Sequence, residues 1–472
     1  MTRNTVKTFL VWGILPNLPF LALAAFLSFQ RTSEFFVFFL LFLTLSISAR
    51  IDVSNGLRRT VSWVVYLTVI LLTISSAMTL VGRFFGLRFT EVFASLPMLL
   101  RLDITAYPLY MAIGLFLFGT LATFIYLSRK TIPQSRSEIA TVSALLLSLC
   151  TWDFFINYQV VGSAEARNAS FTNAIDAGGI LDAQFVGEER DLLIVVVEAL
   201  GQFKDPRAAD AVLASFTDPE LTDRYDIVKG TVPYEGSTTA AEMRELCSST
   251  NSYLDILDDD FDTSACLPNI LGQRGYSSTS YHGFNADVFD RNIWYPEIGF
   301  GKSHFAKNLV DLVRNPENRR YNLCGGTFKG LCDRDIGEQI LHRMETGQGK
   351  TFNYWLTLNS HFPVKSTEGY GGKFPCQEHG LEKDGQICIM TEYWQEVFET
   401  TIKIAKSKRI RPTNILIVGD HAPPLLVRSQ RERFRFDAVP FIALKYKGEE
   451  LPSQNQAQIQ APARSKPETK LF

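Results

Sequence analysis

The sequence predicts two units in series: an N-terminal α-helical transmembrane bundle of five spans, then an α/β domain whose mostly parallel central sheet is covered by helices. Three observations lead there. Nearly all the long apolar runs lie before about residue 157. Beyond about residue 190, short aliphatic runs alternate with helix-like segments. Several of those runs end on an acidic residue or a histidine. The averages hide this partition, since 46% hydrophobic residues, a net charge of -2 and a mean hydropathy of +0.04 describe a neutral soluble chain. No basic excess points to nucleic acid as a partner.

Each span of the bundle needs about 20 apolar residues. The candidates are Thr8–Phe29, Phe35–Ala49, Val61–Gly82, Ile104–Leu127 and Ile139–Ile156. The second is short, the fifth carries Asp153, and Pro16 and Pro19 kink the first. Small residues Ala22, Ala24 and Ala25 give the first run a signal-peptide character, but its four successors favour a retained anchor. Arg3 and Lys7, then Arg50, Arg58 and Arg59, then Arg129, Lys130 and Arg136 mark the cytoplasmic loops. Five spans from a cytoplasmic N-terminus deliver the α/β domain to the opposite side. The loop Arg83–Asp103 has an amphipathic pattern suited to lying along the membrane surface. The expected divisions are an anchor over 1–157, a linker over 158–189, the α/β domain over 190–450 and a disordered tail over 451–472.

Cysteine placement tests the topology. Apart from Cys150 in the fifth span, Cys247, Cys266, Cys324, Cys332, Cys376 and Cys388 all fall in the second unit. An even set confined to one compartment points to disulfides and an oxidising space. Of the fifteen pairings open to six cysteines, neighbours in sequence are favoured, because each would staple a local loop. The bland alternative is three buried thiol pairs.

In the α/β domain, Leu192–Val197, Tyr276–Tyr281, Phe352–Leu358 and Ile415–Val418 read as strands, with helices such as Ala240–Leu246 and Ile336–Met344 between them. Glu198 follows the first strand, His282 the second, His361 the third after two residues, and Asp420 with His421 the fourth. Ligands of open α/β sheets bind beyond the carboxyl ends of strands, so these residues could converge. A lone histidine is more often structural than a ligand, but this chain has six in all and three follow strand ends. The segment Gly236–Glu242 opens a helix. Thr239 with Glu242 fits a capping box, a sufficient structural reason for that threonine. Thr238 then stands just ahead of the helix N-terminus, where a phosphate is favoured. A hydroxyl there needs a metal to act as a nucleophile. Glu198, Asp420 and His421 supply two carboxylates and an imidazole, which suits Zn²⁺ or Mn²⁺ with Thr238 as a fourth ligand.

In order, the chain shows Glu198 after a strand, then Gly-Ser-Thr-Thr-Ala-Ala-Glu, then Tyr-His-Gly-Phe with Arg291 following. Asn-Ser-His-Phe-Pro and Gly-Asp-His-Ala-Pro-Pro complete the set. Over residues 190–445 this resembles the sulfatase-like branch of the alkaline phosphatase superfamily, and within it the membrane-bound lipoteichoic acid synthases and phosphoethanolamine transferases. The resemblance implies an alkaline-phosphatase-like α/β fold and Thr238 as a nucleophile carrying a phosphoryl intermediate. It implies one divalent metal on Glu198, Thr238, Asp420 and His421. Arg291 and His361 match phosphate-binding positions, and His282 is a looser match; His361 could also protonate a leaving alkoxide. Outside that context Arg291 reads as a surface ion pair. The expected partners are a phospholipid donor and an envelope glycan or lipid acceptor. The expected place is a bacterial inner membrane, with the catalytic domain on its periplasmic or extracellular side. No Cys/Ser-x-Pro-x-Arg motif of true sulfatases occurs in Gly236–Glu242, which sets sulfate ester hydrolysis behind phosphoryl transfer. The six cysteines are a trait of phosphoethanolamine transferases, whereas Leu-Pro-Asn-Ile-Leu-Gly resembles the lipoteichoic acid synthases. Both headgroups therefore stay open. The competing readings are a phosphodiesterase or phosphatase of the same superfamily, and an inactive membrane scaffold or sensor.

Overall fold

The computed structural model describes residues 2–27, 34–51, 54–96, 108–133, 135–163, 171–183, 185, 190–313 and 320–448. The expected tail 451–472, residues 164–170 of the expected linker, residues 97–103 of the amphipathic loop and short ends of two expected spans lie outside them.

Among the described residues, two helices are long and apolar enough to cross a membrane, Asn55–Phe85 and Pro108–Ser128. Their outward faces are apolar, with Trp63, Leu67, Leu71, Leu115 and Phe118 exposed. The other three expected spans take different forms. The first run is broken into the α-helix Arg3–Phe9, the π-helical turn Leu10–Ile14 and the helix Leu18–Leu27. Pro16 and Pro19 cannot donate to a helical ladder, and Asn17 Nδ2 donates back to the Gly13 carbonyl at the break. The second run is a 14-residue helix, Phe35–Ser48. The fifth lies within the helix Arg136–Ser163. Trp12 joins these elements, edge-on to Phe42 at 5.7 Å and to Phe124 at 5.2 Å.

The second unit is built on a seven-stranded sheet. Its strands are β1 Asp191–Val197, β2 Tyr225–Pro233, β3 Ser277–His282 and β4 Lys302–His304. After the small hairpin of β5 Leu323–Cys324 and β6 Gly330–Leu331 come β7 Thr351–Leu356, β8 Thr413–Gly419 and β9 Ala438–Tyr446. The order is β2-β9-β8-β1-β7-β3-β4. The run from β8 to β4 is parallel; β9 and β2 close one edge antiparallel. Every residue of β1 and β8 is buried, as continuous aliphatic runs require in a sheet covered on both faces. Leu193, Val195 and Val197 face one apolar layer, and Leu192, Ile194 and Val196 face the other. Within the stretch read as linker, the helix Ala174–Gly178 with Ile180 and Phe185 packs into the second layer. Gly178 permits that approach, since a Cβ there would stand 2.7 Å from Ala443 Cβ.

Register sets the site. Val197 of β1 pairs with Gly419 of β8, and Val196 with Leu356 of β7, which also pairs with His282 of β3. Glu198, Thr357, Asp420 and His282 therefore share one edge of the sheet.

The helix Thr238–Cys247 is almost wholly buried. Gly236 makes the turn into it at φ 84°, a conformation that L side chains rarely adopt. Ser237, not Thr239, is the N-cap, and its hydroxyl bonds Thr239 Oγ1 at 3.0 Å without capping a backbone N–H. The expected capping box does not form, because Glu242 has a stronger partner. Arg291 donates to it through Nε at 3.1 Å and Nη2 at 2.7 Å, and Tyr295 donates through its hydroxyl. The pair is buried on both sides, so Arg291 is not the surface ion pair that its residue type alone would imply. Farther along the helix, Arg244 Nη2 donates to the Gly419 carbonyl at 2.9 Å, tying the helix to the end of β8. The disulfide Cys247–Cys266 holds its C-terminus to the helix Leu267–Gln273; Cys324–Cys332 and Cys376–Cys388 close two further loops. All three join sequence neighbours, as expected.

Two outcomes follow. Glu242→Ala strands a buried guanidinium and lowers unfolding stability by about 3–5 kcal/mol, read by urea denaturation of the full chain in detergent. Replacing Cys247 and Cys266 together by Ala opens a loop of 19-residue separation and costs about 3 kcal/mol in the same measurement.

Candidate active site

Three chain segments converge at the carboxyl edge of the sheet. Glu198 leaves β1, Thr238 is the first residue of its helix, and Asp420 and His421 leave β8. Thr238 Oγ1 lies 2.9 Å from Asp420 Oδ2, 3.3 Å from Glu198 Oε2 and 3.4 Å from His421 Nε2. His421 Nε2 is 3.3 Å from Asp420 Oδ2 and 3.6 Å from Glu198 Oε1. One ligand atom each from Glu198, Asp420 and His421 fits within 4.8 Å of the others, all three residues being buried. The second group of this kind, Cys376, Cys388 and Glu392, has both its sulfurs in a disulfide and offers no thiolate.

The electrostatics of the cluster call for a cation. Burial pushes the Glu198 carboxyl well above its ordinary range, and the charge of Asp420 adds to the push. Glu198 Oε1 has no hydrogen-bond partner among the described residues. His421 Nδ1 lies 3.0 Å from the Ala422 carbonyl, to which it donates, so Nε2 is the ring nitrogen that faces the carboxylates. Two carboxylate oxygens, one imidazole nitrogen and one hydroxyl fit a Zn²⁺ or Mn²⁺ ion better than Mg²⁺, which prefers oxygen alone.

The supporting bonds hold these groups still. Asp420 Oδ1 accepts the backbone N–H of Ala199 and of His421, each at 2.7 Å, which turns Oδ2 toward Thr238. Ala199 takes φ 53° at this tight exit from β1. The Glu198 N–H donates to Thr357 Oγ1 at 2.9 Å; its carbonyl accepts Ser360 Oγ at 2.6 Å and Trp394 Nε1 at 3.2 Å. The Asp333 carboxylate receives the N–H groups of Leu358 and Asn359, which shapes the loop leading to His361.

The expected substrate residues stand at graded distances. His361 Nε2 is 3.9 Å from Glu198 Oε1, and its Nδ1 lies 2.7 Å from the Phe362 carbonyl. The Phe328 ring, on the Cys324–Cys332 loop, covers it with centroids 3.9 Å apart. Burial and the neighbouring His421 bring its pKa down to about 3, so in the free protein the ring is neutral, donating Nδ1–H to the Phe362 carbonyl and leaving Nε2 as the acceptor. His282 is buried with Nδ1 3.0 Å from the Leu356 carbonyl; burial and the charge of Arg291 bring its pKa to about 3 as well. Arg291 acts on the cluster through its field, which favours the ionised form of Glu198, while Nε and Nη2 are engaged with Glu242. Trp394, Arg244, Asp333 and Phe328 escaped sequence reasoning. Each acts across a long sequence separation and no local pattern marks it; Ser360 alone had a signal, standing beside His361.

The sulfatase family model matches residues 225–462, half of the chain. Lipoteichoic acid synthase 2 of Bacillus subtilis is 24% identical over 160 residues, 34% of this chain and 23% of the synthase, so the chain spans about a quarter of that relative's length. Among solved structures, the lipooligosaccharide phosphoethanolamine transferase A of Neisseria meningitidis aligns with 94% of this chain and 88% of its own, at 13% identity and a TM-score of 0.46. The lipoteichoic acid synthase LtaP of Listeria monocytogenes aligns with 56% of this chain and 67% of its own, at 16% identity and a TM-score of 0.38. On the family match, the chain belongs to the sulfatase family, the sulfatase-like enzymes of the alkaline phosphatase superfamily.

Proposed function

We propose that this protein is a membrane-bound phosphotransferase that moves a phosphoglycerol or phosphoethanolamine group from a phospholipid to a cell-envelope glycan or lipid. One observation carries the reading: a threonine hydroxyl at a helix N-terminus, within 3.4 Å of two buried carboxylates and an imidazole. The choice of headgroups rests on the resemblance of the motif set to lipoteichoic acid synthases and phosphoethanolamine transferases, enzyme names that two of the similar proteins also carry.

Glu198, Thr238, Asp420 and His421 would hold the divalent metal, Zn²⁺ or Mn²⁺. When bound, it supplies Lewis-acid stabilisation of alkoxide and phosphoryl charge. Thr238 gives up its hydroxyl proton to solvent water and attacks phosphorus as the alkoxide. An Oγ1–P bond forms, the P–O bond to the diacylglycerol oxygen breaks, and that oxygen takes a proton. His361 is placed to supply it, because the negative charge of a bound phosphodiester favours the imidazolium over the neutral ring of the free enzyme. In the second half an acceptor hydroxyl returns a proton to His361 and attacks the phosphothreonine; the Oγ1–P bond breaks and Thr238 leaves as the alkoxide with which the cycle began. Arg291 and His282 stand behind these groups, Arg291 favouring bound anionic phosphate by its field.

The proposed divisions are an anchor over 1–157, a linker over 158–189 whose helix Ala174–Gly178 packs into the catalytic domain, and a catalytic domain over 190–450, with five spans in a bacterial inner membrane. Two facts support a catalytic domain on the non-cytoplasmic side. Phe84, Leu109 and Tyr110, at the helix ends remote from Arg58, Arg59 and Arg129, pack against it. Its three disulfides suit an oxidising space.

Metal-loaded protein incubated with phosphatidylglycerol or phosphatidylethanolamine gains the mass of one headgroup phosphate, and Thr238→Ala gains none; no adduct from either lipid defeats the reading. Zn²⁺ or Mn²⁺ at a hundredfold excess over its Kd stabilises the chelator-stripped protein by about 3 kcal/mol, seen as a rise in Tm. Glu198→Gln abolishes that rise, yet unfolds at a higher temperature than wild type when both are metal-free, because it relieves the repulsion with Asp420.

A further inference from the structure

The membrane half meets the catalytic domain at the turn that leads into the nucleophile helix. The helix Asn55–Phe85 ends on Gly86, at φ 68°, which packs backbone to backbone against Gly236, two residues before Thr238. A Cβ on Gly86 would stand 2.6 Å from the Gly236 carbonyl carbon and oxygen. Beside this contact, Arg88 Nη2 donates to the Thr250 carbonyl at 3.3 Å. Glu91, on the short helix Phe89–Ala94, is buried; Oε1 accepts the Ser252 hydroxyl and Oε2 accepts the Arg88 N–H at 2.8 Å. A carboxylate taken out of water and shared between two segments 161 residues apart makes an interdomain clamp. On the same short helix Phe89 is 49% and Phe93 64% exposed, one turn apart. That apolar pair, continuous with the outward face of the helix Asn55–Phe85, fits the headgroup boundary of a bilayer.

We infer that Gly86 and Glu91 are positioning residues, forming a strut from the membrane helix to the Thr238 turn that holds the mouth of the site at the outer leaflet. The strut admits a donor embedded in the bilayer in preference to a phosphodiester in solution. This rests on the phospholipid-transfer reading and adds to it the reason for the anchor: orientation, rather than tethering alone.

The test compares full-length wild type, Gly86→Val and Glu91→Ala in vesicles of phosphatidylethanolamine and phosphatidylglycerol. Glu91→Ala leaves the Gly86 backbone untouched and covers a Gly86→Val that fails to fold. Three quantities are read: headgroup transfer to Thr238 by mass, turnover of soluble bis(p-nitrophenyl) phosphate, and hydrogen exchange of amides 235–252. The expected result is a loss of about tenfold or more in lipid transfer, a distinctly smaller loss in soluble turnover, since only a bilayer-embedded donor depends on where the mouth of the site is held, and faster exchange at 235–252. Equal losses on both substrates, or unchanged transfer, overturn the inference. If wild type itself forms no lipid adduct, the transferase reading falls; unchanged exchange at 235–252 in Glu91→Ala then overturns the strut on its own.

Discussion

Two carboxylates held side by side in a buried place constrain everything else in the catalytic domain. Parallel pairing of β1 with β8 in a register that matches Val197 to Gly419 leaves Glu198 next to Asp420. Burial, and then the charge of Asp420, push the Glu198 carboxyl well above its ordinary range, so a positive charge beside it favours its ionised form. The hydroxyl of Thr238, the Nε2 of His421 and the backbone donors to Asp420 Oδ1 all follow from keeping those two oxygens apart and aimed inward.

The helix that carries Thr238 spends most of its charged residues on being held in place. Glu242 is taken by Arg291 and Tyr295, Arg244 by the end of β8, and Glu245 by Arg244 and the Ala174 N–H. Buried ion pairs of this kind add little net stability but are costly to break. Their effect is to fix Thr238 against the sheet edge. The disulfide behind the helix and the Gly236 turn ahead of it complete the same task. An active site that must present a weakly nucleophilic hydroxyl at one position gains from such preorganisation.

The two halves of the molecule are joined by polar and backbone contacts as well as by apolar packing. Glycine meets glycine at Gly86 and Gly236, and a carboxylate crosses to Ser252. Such contacts are directional, so they set the orientation of one half on the other, which apolar packing alone would leave adjustable.

The sequence by itself determined the α/β class and the residues at the ends of four strands: the continuous aliphatic runs of β1 and β8 suit a sheet covered on both faces, and their alternation with helix-like segments suits parallel pairing. It also determined the pairing of cysteines between sequence neighbours, since short loops bring them together. The helices at Asn55–Phe85 and Pro108–Ser128 were legible from length and apolarity; the break after Phe9 was signalled only by Pro16 and Pro19. Tertiary structure decided what Glu242 binds. Its spacing from Thr239 obeys the local capping rule, but a buried guanidinium from a segment 49 residues away outcompetes a backbone N–H. It likewise decided that His361 is neutral under Phe328, that Trp394 braces Glu198, and that helix Ala174–Gly178 belongs to the core. Each of these depends on which distant segments pack together and how far they exclude water, and neither property is written in any local pattern of residues.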